Sequence, residues 1–178
     1  DEDSNDDDAG TPVNLRWGEA YQRAQEYPNT VNLPQQLITM RDGIRLAATV
    51  TLPADASGNA IDGPFPVIAT FTGYNQFLSS SLIADLDLVK HGYAYINVDM
   101  RGTGASEGSW QAFSQVDQDD MAELVTYIKS QPWSNGRIGM NGPSYMGITG
   151  LITGAQEDPA VQAIFAVVPM GDAYRDCL

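Results

Sequence analysis

Residues 137–153 read RIGMNGPSYMGITGLIT, and this stretch decides the fold. Its first five residues predict a short strand, and residues 145–153 predict a helix. A sharp turn at Ser144 must join the two. In a parallel sheet such a turn lies at the carboxyl ends of the strands, which is the edge where functional sites form.

The alternation of strand and helix continues on both sides of this turn. Residues 67–72 are a continuous apolar run of the kind that forms a buried strand, and residues 93–100 and 161–168 are two further predicted strands. Between them, apolar residues recur on one face of two predicted helices: Leu82, Ile83, Leu86 and Val89, then Met121, Leu124, Val125 and Ile128. This order predicts an α/β fold with a mostly parallel sheet.

An antiparallel N-terminal hairpin precedes these units. Residues 37–41 and 45–52 have the character of strands, and Asp42-Gly43 between them is a strong hairpin signal. Residues 1–36 are acidic and polar, and we expect them to be largely irregular. The α/β domain is therefore expected to occupy residues 37–178.

The composition limits the partners and cofactors. Lys plus Arg number 9 and Asp plus Glu number 23, so the net charge is −14 at pH 7. Neither nucleic acid nor a membrane surface is an expected partner, because both bind clusters of Lys and Arg. With one cysteine and one histidine, we expect no internal disulfide, no metal site and no cofactor. The acidic start suits a mature N-terminus after signal cleavage as well as a cytosolic tail, and a secreted or periplasmic location is favoured over a cytoplasmic one.

Two interpretations of Ser144 are open. Its place between a strand and a helix suits a nucleophile elbow, a strained turn that exposes the serine oxygen, with Gly142 and Gly147 leaving room. Met146 occupies the final glycine position of the usual G-x-S-x-G pattern, so the match is to a variant, G-x-S-Y-x-G. The alternative is an ordinary serine at a helix N-cap.

Other patterns receive structural interpretations. Gly102, Gly104 and Gly108 follow a strand, but their spacing departs from a dinucleotide fingerprint. We interpret them as a tight loop in which Arg101 pairs with Glu107.

Acidic residues near the start of a predicted helix are expected to complement its dipole rather than to bind a metal: Asp117, Asp119, Asp120 and Glu123. Trp110, Phe113 and Trp133 are interpreted as packing residues. For Trp110 the alternative is the lining of an acyl pocket.

Several motifs together resemble the X-Pro dipeptidyl-peptidase (S15) and cocaine-esterase-like serine hydrolases. The matching pieces run in order along the chain: MRDGIRL (40–46), Tyr74, HGY (91–93), DMRGTGASEG (99–108), QPW (131–133), GRIGM (136–140), the Ser144 turn and YRD (174–176). One departure is Gly73, which stands where the family often has proline.

The resemblance implies an α/β-hydrolase fold, of which this chain would be the N-terminal part, incomplete at the C-terminal side. It implies hydrolysis of esters, amides or X-Pro peptides, and it allows a homo-oligomer in the full-length protein. It assigns Ser144 as the nucleophile, with the Tyr145 backbone N–H and the Tyr74 hydroxyl as the oxyanion hole.

The other triad members are missing from these residues. In this fold the order is serine, acid, histidine, yet no histidine follows Ser144. His91 is interpreted as the end of a helix beside Gly92. We therefore expect the chain alone to be inactive or nearly so, because serine needs a base. We also expect its last strand to be an exposed apolar edge that favours aggregation. The alternative function is a catalytically dead, hydrolase-like binding or interaction module.

Overall fold

The computed structural model describes residues 24–78, 87–170 and 172. Within these residues the strands are β1 (Asn29–Asn32), β2 (Gln36–Thr39), β3 (Arg45–Ala54), β4 (Phe65–Thr72), β5 (Ala94–Asp99), β6 (Ser134–Pro143) and β7 (Val161–Val167). The α-helices are α1 (Gln115–Ser130) and α2 (Tyr145–Gly154), and a 3-10 helix covers Asp87–His91. The predicted strands are confirmed, and so are the helices predicted before Pro132 and after Ser144. The acidic run at residues 1–8 and the YRD motif at 174–176 lie outside the described residues.

The sheet is mixed, as the sequence predicts. Its order is β1-β3-β5-β4-β6-β7, and β2 also pairs with β3. Strands β5, β4, β6 and β7 are parallel, whereas β3 is antiparallel to β1, β2 and β5. The predicted hairpin is the β2–β3 pair, and the turn Asp42-Gly43 joins its strands.

The core lies around the central strands. Every residue of β5 is buried, including the polar residues Asn97 and Asp99. The predicted apolar face of α1 is buried too: Met121, Leu124, Val125 and Ile128. Full burial of each such side chain contributes about 1.5–3 kcal/mol. Helix α1 packs on β6, and α2 packs on β4, β6 and β7. No described helix combines the length and the apolar character that spanning a bilayer requires.

Two details differ from the sequence prediction. Strand β1 lies inside the segment expected to be largely irregular, because its residues NTVN give too short a pattern to detect. Leu82, Ile83 and Leu86 of the helix predicted before β5 lie outside the described residues, and Val89 belongs to the 3-10 helix. That helix ends as expected at Gly92, whose φ is +85°.

Strand β7 is the edge of the described sheet. It pairs with β6, and its Phe165 side chain is 68 % exposed. An apolar strand with an open edge is a template for pairing with another chain. The predicted exposed apolar edge is confirmed, and aggregation of the isolated chain remains a prediction.

Candidate active site

Ser144 occupies a strained turn between β6 and α2. Its φ of +55° and ψ of −126° match the first central residue of a type II′ turn, a position dominated by glycine and a few small polar residues. A helix N-cap instead has an extended backbone, and its side chain accepts a hydrogen bond from the first turn. Ser144 has no such backbone and no such bond. Ser144 thus stands at the N-cap position of α2, but it does not cap the helix as an ordinary N-cap serine would.

The turn closes because two glycines leave room for α2 to begin against β6. A Cβ at Gly142 would lie 2.3 Å from the Cβ of Met146, and one at Gly147 would lie 2.9 Å from the carbonyl oxygen of Gly142. Met146 itself is buried and fits at the position where the usual pattern has its final glycine. These contacts explain why the variant pattern still builds the turn.

The strain at Ser144 has a measurable consequence. We expect Ser144→Gly to raise the free energy of unfolding by about 1 kcal/mol, because relief of about 1–3 kcal/mol of backbone strain exceeds the added entropy of the unfolded chain. Ser144→Ala keeps the Cβ and should give no such gain. Urea unfolding of the two variants measures the difference. If Ser144→Ala proves as stable as Ser144→Gly, the turn is not strained.

Tyr74 and Ser144 meet at the edge of the sheet. The Tyr74 hydroxyl lies 2.9 Å from the Ser144 Oγ, within hydrogen-bond distance. Tyr74 follows β4 and Ser144 follows β6, and these parallel strands are neighbours. The chain reverses its direction across the sheet at β4, because β5 is added on one side and β6 on the other. Crevices at such reversal points bind ligands in α/β proteins.

A second donor lies beside the Ser144 side chain. Tyr145 is the first residue of α2, where a backbone N–H has no acceptor within the helix. The Ser144 backbone is held in place on both sides. Its N–H donates to the Val167 carbonyl at 2.9 Å, and its carbonyl accepts from the Ile148 N–H at 3.1 Å. Ser144 thus directly precedes the first residue of α2, and its Oγ lies beside the Tyr74 hydroxyl.

Aromatic side chains surround the Tyr145 ring. Phe113 stacks on it with ring centroids 4.8 Å apart, and Tyr74 packs edge-on at 5.9 Å. The Trp110 indole N–H donates to the Tyr145 hydroxyl at 3.3 Å, and burial raises the pKa of that hydroxyl. Trp110 remains 52 % exposed, so it combines packing against Tyr145 with a solvent-exposed face.

Three of the four acidic residues near the start of α1 bind arginines, whereas the fourth, Asp117, is buried. Asp119 and Glu123 form ion pairs with Arg41, at 3.0 and 2.9 Å. The buried Asp120 accepts two hydrogen bonds of 2.8 Å from Arg101 and one of 3.2 Å from Arg41. For Asp119, Asp120 and Glu123 these contacts go beyond the predicted dipole effect.

The expected pair of Arg101 with Glu107 is wrong. The second partner of Arg101 is Asp42, at 2.7 Å, and Glu107 pairs with Arg45. The glycine-rich loop between them closes on itself, since the Gly102 N–H donates to the Glu107 carbonyl at 2.9 Å. The loop does not lead directly into a helix, because α1 begins only at Gln115. A dinucleotide fingerprint requires glycines that open a helix, so this loop does not fit one.

His91 is remote from Ser144. It lies before the amino end of β5, whereas Ser144 follows the carboxyl end of β6, and both strands run parallel to β4. A strand of this length separates the two edges by on the order of 20 Å. Among the described residues, no group of three or more His, Cys, Asp or Glu is placed to hold a metal ion.

Sequence reasoning missed a buried polar network behind Tyr74. Asp99 closes β5, and its carboxylate accepts hydrogen bonds from Gln76, just after Tyr74. The available signal was a carboxylate at the end of a mostly apolar strand. The partner Gln76 could not be identified, because only the parallel pairing of β4 and β5 brings it close.

Known proteins are similar to this chain in sequence and in fold. The family model for X-Pro dipeptidyl-peptidase (S15 family) matches residues 42–178. Cocaine esterase of Rhodococcus sp. (strain MB1 Bresler) is 34 % identical over 143 residues, which cover 78 % of this chain and 24 % of that protein. The chain thus spans about a quarter of the length of the curated relatives that it matches.

Solved structures agree. A CocE/NonD family hydrolase from Staphylococcus aureus matches with a TM-score of 0.70 at 25 % identity, over 82 % of this chain and 29 % of that one. An α-amino acid ester hydrolase matches with a TM-score of 0.63 at 26 % identity, over 92 % and 29 % of the two chains. The expected α/β-hydrolase fold is confirmed. The match from residue 42 onward and the shared fold lead to one conclusion: the chain belongs to the X-Pro dipeptidyl-peptidase (S15) family of hydrolases.

Proposed function

We propose that this chain provides the nucleophile and the oxyanion hole of a serine hydrolase. Ser144 is the nucleophile, and the Tyr145 N–H and the Tyr74 hydroxyl stabilise the oxyanion. The observation that carries the proposal is the 2.9 Å contact between the Tyr74 hydroxyl and Ser144 Oγ at the reversal point of the sheet. The strained backbone of Ser144 supports it, because such strain persists where function requires a fixed geometry.

The chemistry follows from this geometry. Ser144 Oγ attacks the substrate carbonyl carbon and gives its proton to a base, so that a tetrahedral oxyanion forms. The two donors bind this oxygen more strongly than the ground-state carbonyl, and such differential binding accelerates the reaction. Collapse breaks the bond to the leaving alcohol or amine, which takes the proton. Water then hydrolyses the acyl-serine and restores the free hydroxyl.

The proposal requires a base and an acid that these 178 residues do not supply. His91 is the one histidine of the sequence, and its place at the opposite edge of the sheet argues against a role as the partner of Ser144. The same observation favours the alternative function, a catalytically dead module that binds ligands through a hydrolase-like surface. The two functions differ in whether Ser144 reacts.

Esters, amides and X-Pro peptides are the proposed substrates. Relatives named cocaine esterase and α-amino acid ester hydrolase favour esters. The half-exposed Trp110 and the Phe113 ring both pack against Tyr145, the residue after Ser144, and they provide an apolar surface that suits a bulky acyl group. The net charge of −14 favours encounter with substrates that carry a positive amino group.

A fluorophosphonate probe tests the proposed function. We expect protein that contains these residues together with a triad acid and histidine to gain one phosphonyl group, located on Ser144 by peptide mass mapping. The 178-residue chain should label far more slowly, because residual catalysis without triad partners is weak. Labelling at another residue would contradict the proposal. Absence of labelling in protein that has both partners would favour the binding module.

A further inference from the structure

We propose that Asp99 and Gln76 are positioning residues for Tyr74: together they fix the turn that carries its hydroxyl to Ser144. This inference rests on the proposed role of Tyr74 as an oxyanion donor. It assigns a function to a buried polar network that lies behind the site and touches no substrate.

Few contacts in the described part of the chain fix the position of the Tyr74 side chain. It is 39 % exposed. Its hydroxyl lies beside Ser144 and its ring packs edge-on against Tyr145, and the backbone N–H of the same residue donates to the Thr72 hydroxyl at 3.0 Å. The next residue, Asn75, has a φ of +73°, so the backbone changes direction here. The position of the hydroxyl therefore depends on how firmly this turn is anchored.

Gln76 is the anchor. It is 2 % exposed, and its polar groups bond to neighbouring strands. Its backbone N–H donates to Asp99 Oδ1 at 2.6 Å, and its side-chain Nε2 donates to Asp99 Oδ2 at 3.2 Å. Its carbonyl accepts from the Asn97 amide at 3.1 Å, and its Oε1 accepts from the Thr49 hydroxyl. The turn is thus fixed to β3 and β5 two residues after Tyr74.

Asp99 joins this turn to the glycine-rich loop. Its fully buried carboxylate also accepts from the Ala105 N–H at 3.0 Å. Its hydrogen-bond partners in the described part of the chain are neutral donors rather than Lys or Arg, and burial raises its pKa. A buried carboxylate compensated by neutral donors alone is costly. A leucine or asparagine at position 99 would avoid that cost. The presence of the carboxylate is therefore better explained by its role in holding the turn after Tyr74 in place.

A double-mutant cycle separates positioning from mere stability. Gln76→Met removes the two side-chain bonds but keeps the backbone bond to Asp99, and Asp99→Asn replaces one acceptor oxygen by a donor. We expect each variant to lower kcat about 10-fold, with KM changed less than about threefold, because the contact matters mainly in the transition state. In a Tyr74→Phe background the same changes should leave kcat within about twofold, since the group that they position is already gone.

The controls distinguish the outcomes. Thr153→Val removes another buried hydrogen bond, from Thr153 to the Thr149 carbonyl, at the far end of α2, and it should leave kcat unchanged. Equal losses of kcat with and without the Tyr74 hydroxyl would overturn the positioning role, as would an unchanged kcat in folded Gln76→Met. If Tyr74→Phe alone has no effect, the proposed oxyanion role fails instead. All assays use protein that carries the triad acid and histidine, and thermal unfolding checks that each variant folds.

Discussion

Ser144→Ala is expected to lower kcat for ester hydrolysis by about 10⁴-fold or more, in protein that also carries the triad acid and histidine. The loss is large because no covalent acyl-enzyme can form without the Oγ. What remains is catalysis by the oxyanion hole and by substrate binding. KM should change little, since Ser144 Oγ forms its decisive bond only as the reaction proceeds.

Ser109→Ala is the matched control. Ser109 is also an exposed serine, on the glycine-rich loop next to Trp110, and its replacement should leave kcat within about twofold. Steady-state kinetics with an activated ester provides the comparison. A Ser144→Ala variant that keeps a tenth of the activity would show that another group is the nucleophile.

Tyr74→Phe is expected to lower kcat by about 10²–10³-fold, which is the usual cost of losing one oxyanion donor. The ring remains, so the edge-on contact with Tyr145 is retained, and the loss reports on the hydroxyl alone. Because this donor acts on the oxyanion rather than on the substrate carbonyl, KM should stay within about threefold.

Tyr27→Phe makes the same chemical change away from the site. Tyr27 packs edge-on against Phe65, with ring centroids 5.8 Å apart, and Phe65 begins β4 at the end opposite to Tyr74. We expect its kcat to equal that of the unmodified protein. If Tyr74→Phe keeps a kcat within threefold of that of the unmodified protein, the Tyr74 hydroxyl is not the second oxyanion donor beside the Tyr145 N–H.

Prediction from the sequence worked where the signal is local. Strand β5 and the apolar face of α1 follow from periodicity over neighbouring residues, and both are buried. The hairpin turn at Asp42-Gly43 and the strand–turn–helix at Ser144 depend on a few adjacent residues. Strand β1 was missed because four mostly polar residues contain no detectable period.

Pairing between distant residues was not predictable in the same way. Arg101 was expected to pair with Glu107, six residues away, but in the folded chain it pairs with Asp42 and Asp120 instead. The nearer acid was already paired with Arg45. Separation along the sequence says little about which ion pairs form, because strand order determines which side chains face each other.

The α/β fold, the family and the placement of Ser144 on a turn between strand and helix follow from the sequence alone, since each depends on residue types in local order. The folded structure was needed to show that Ser144 is strained at the N-cap position and does not cap the helix. It also decided that the Tyr74 hydroxyl lies 2.9 Å away and that Asp99 and Gln76 support it. The physical reason is that these contacts join residues 23 to 70 positions apart, and the order and register of β4, β5 and β6 bring them together.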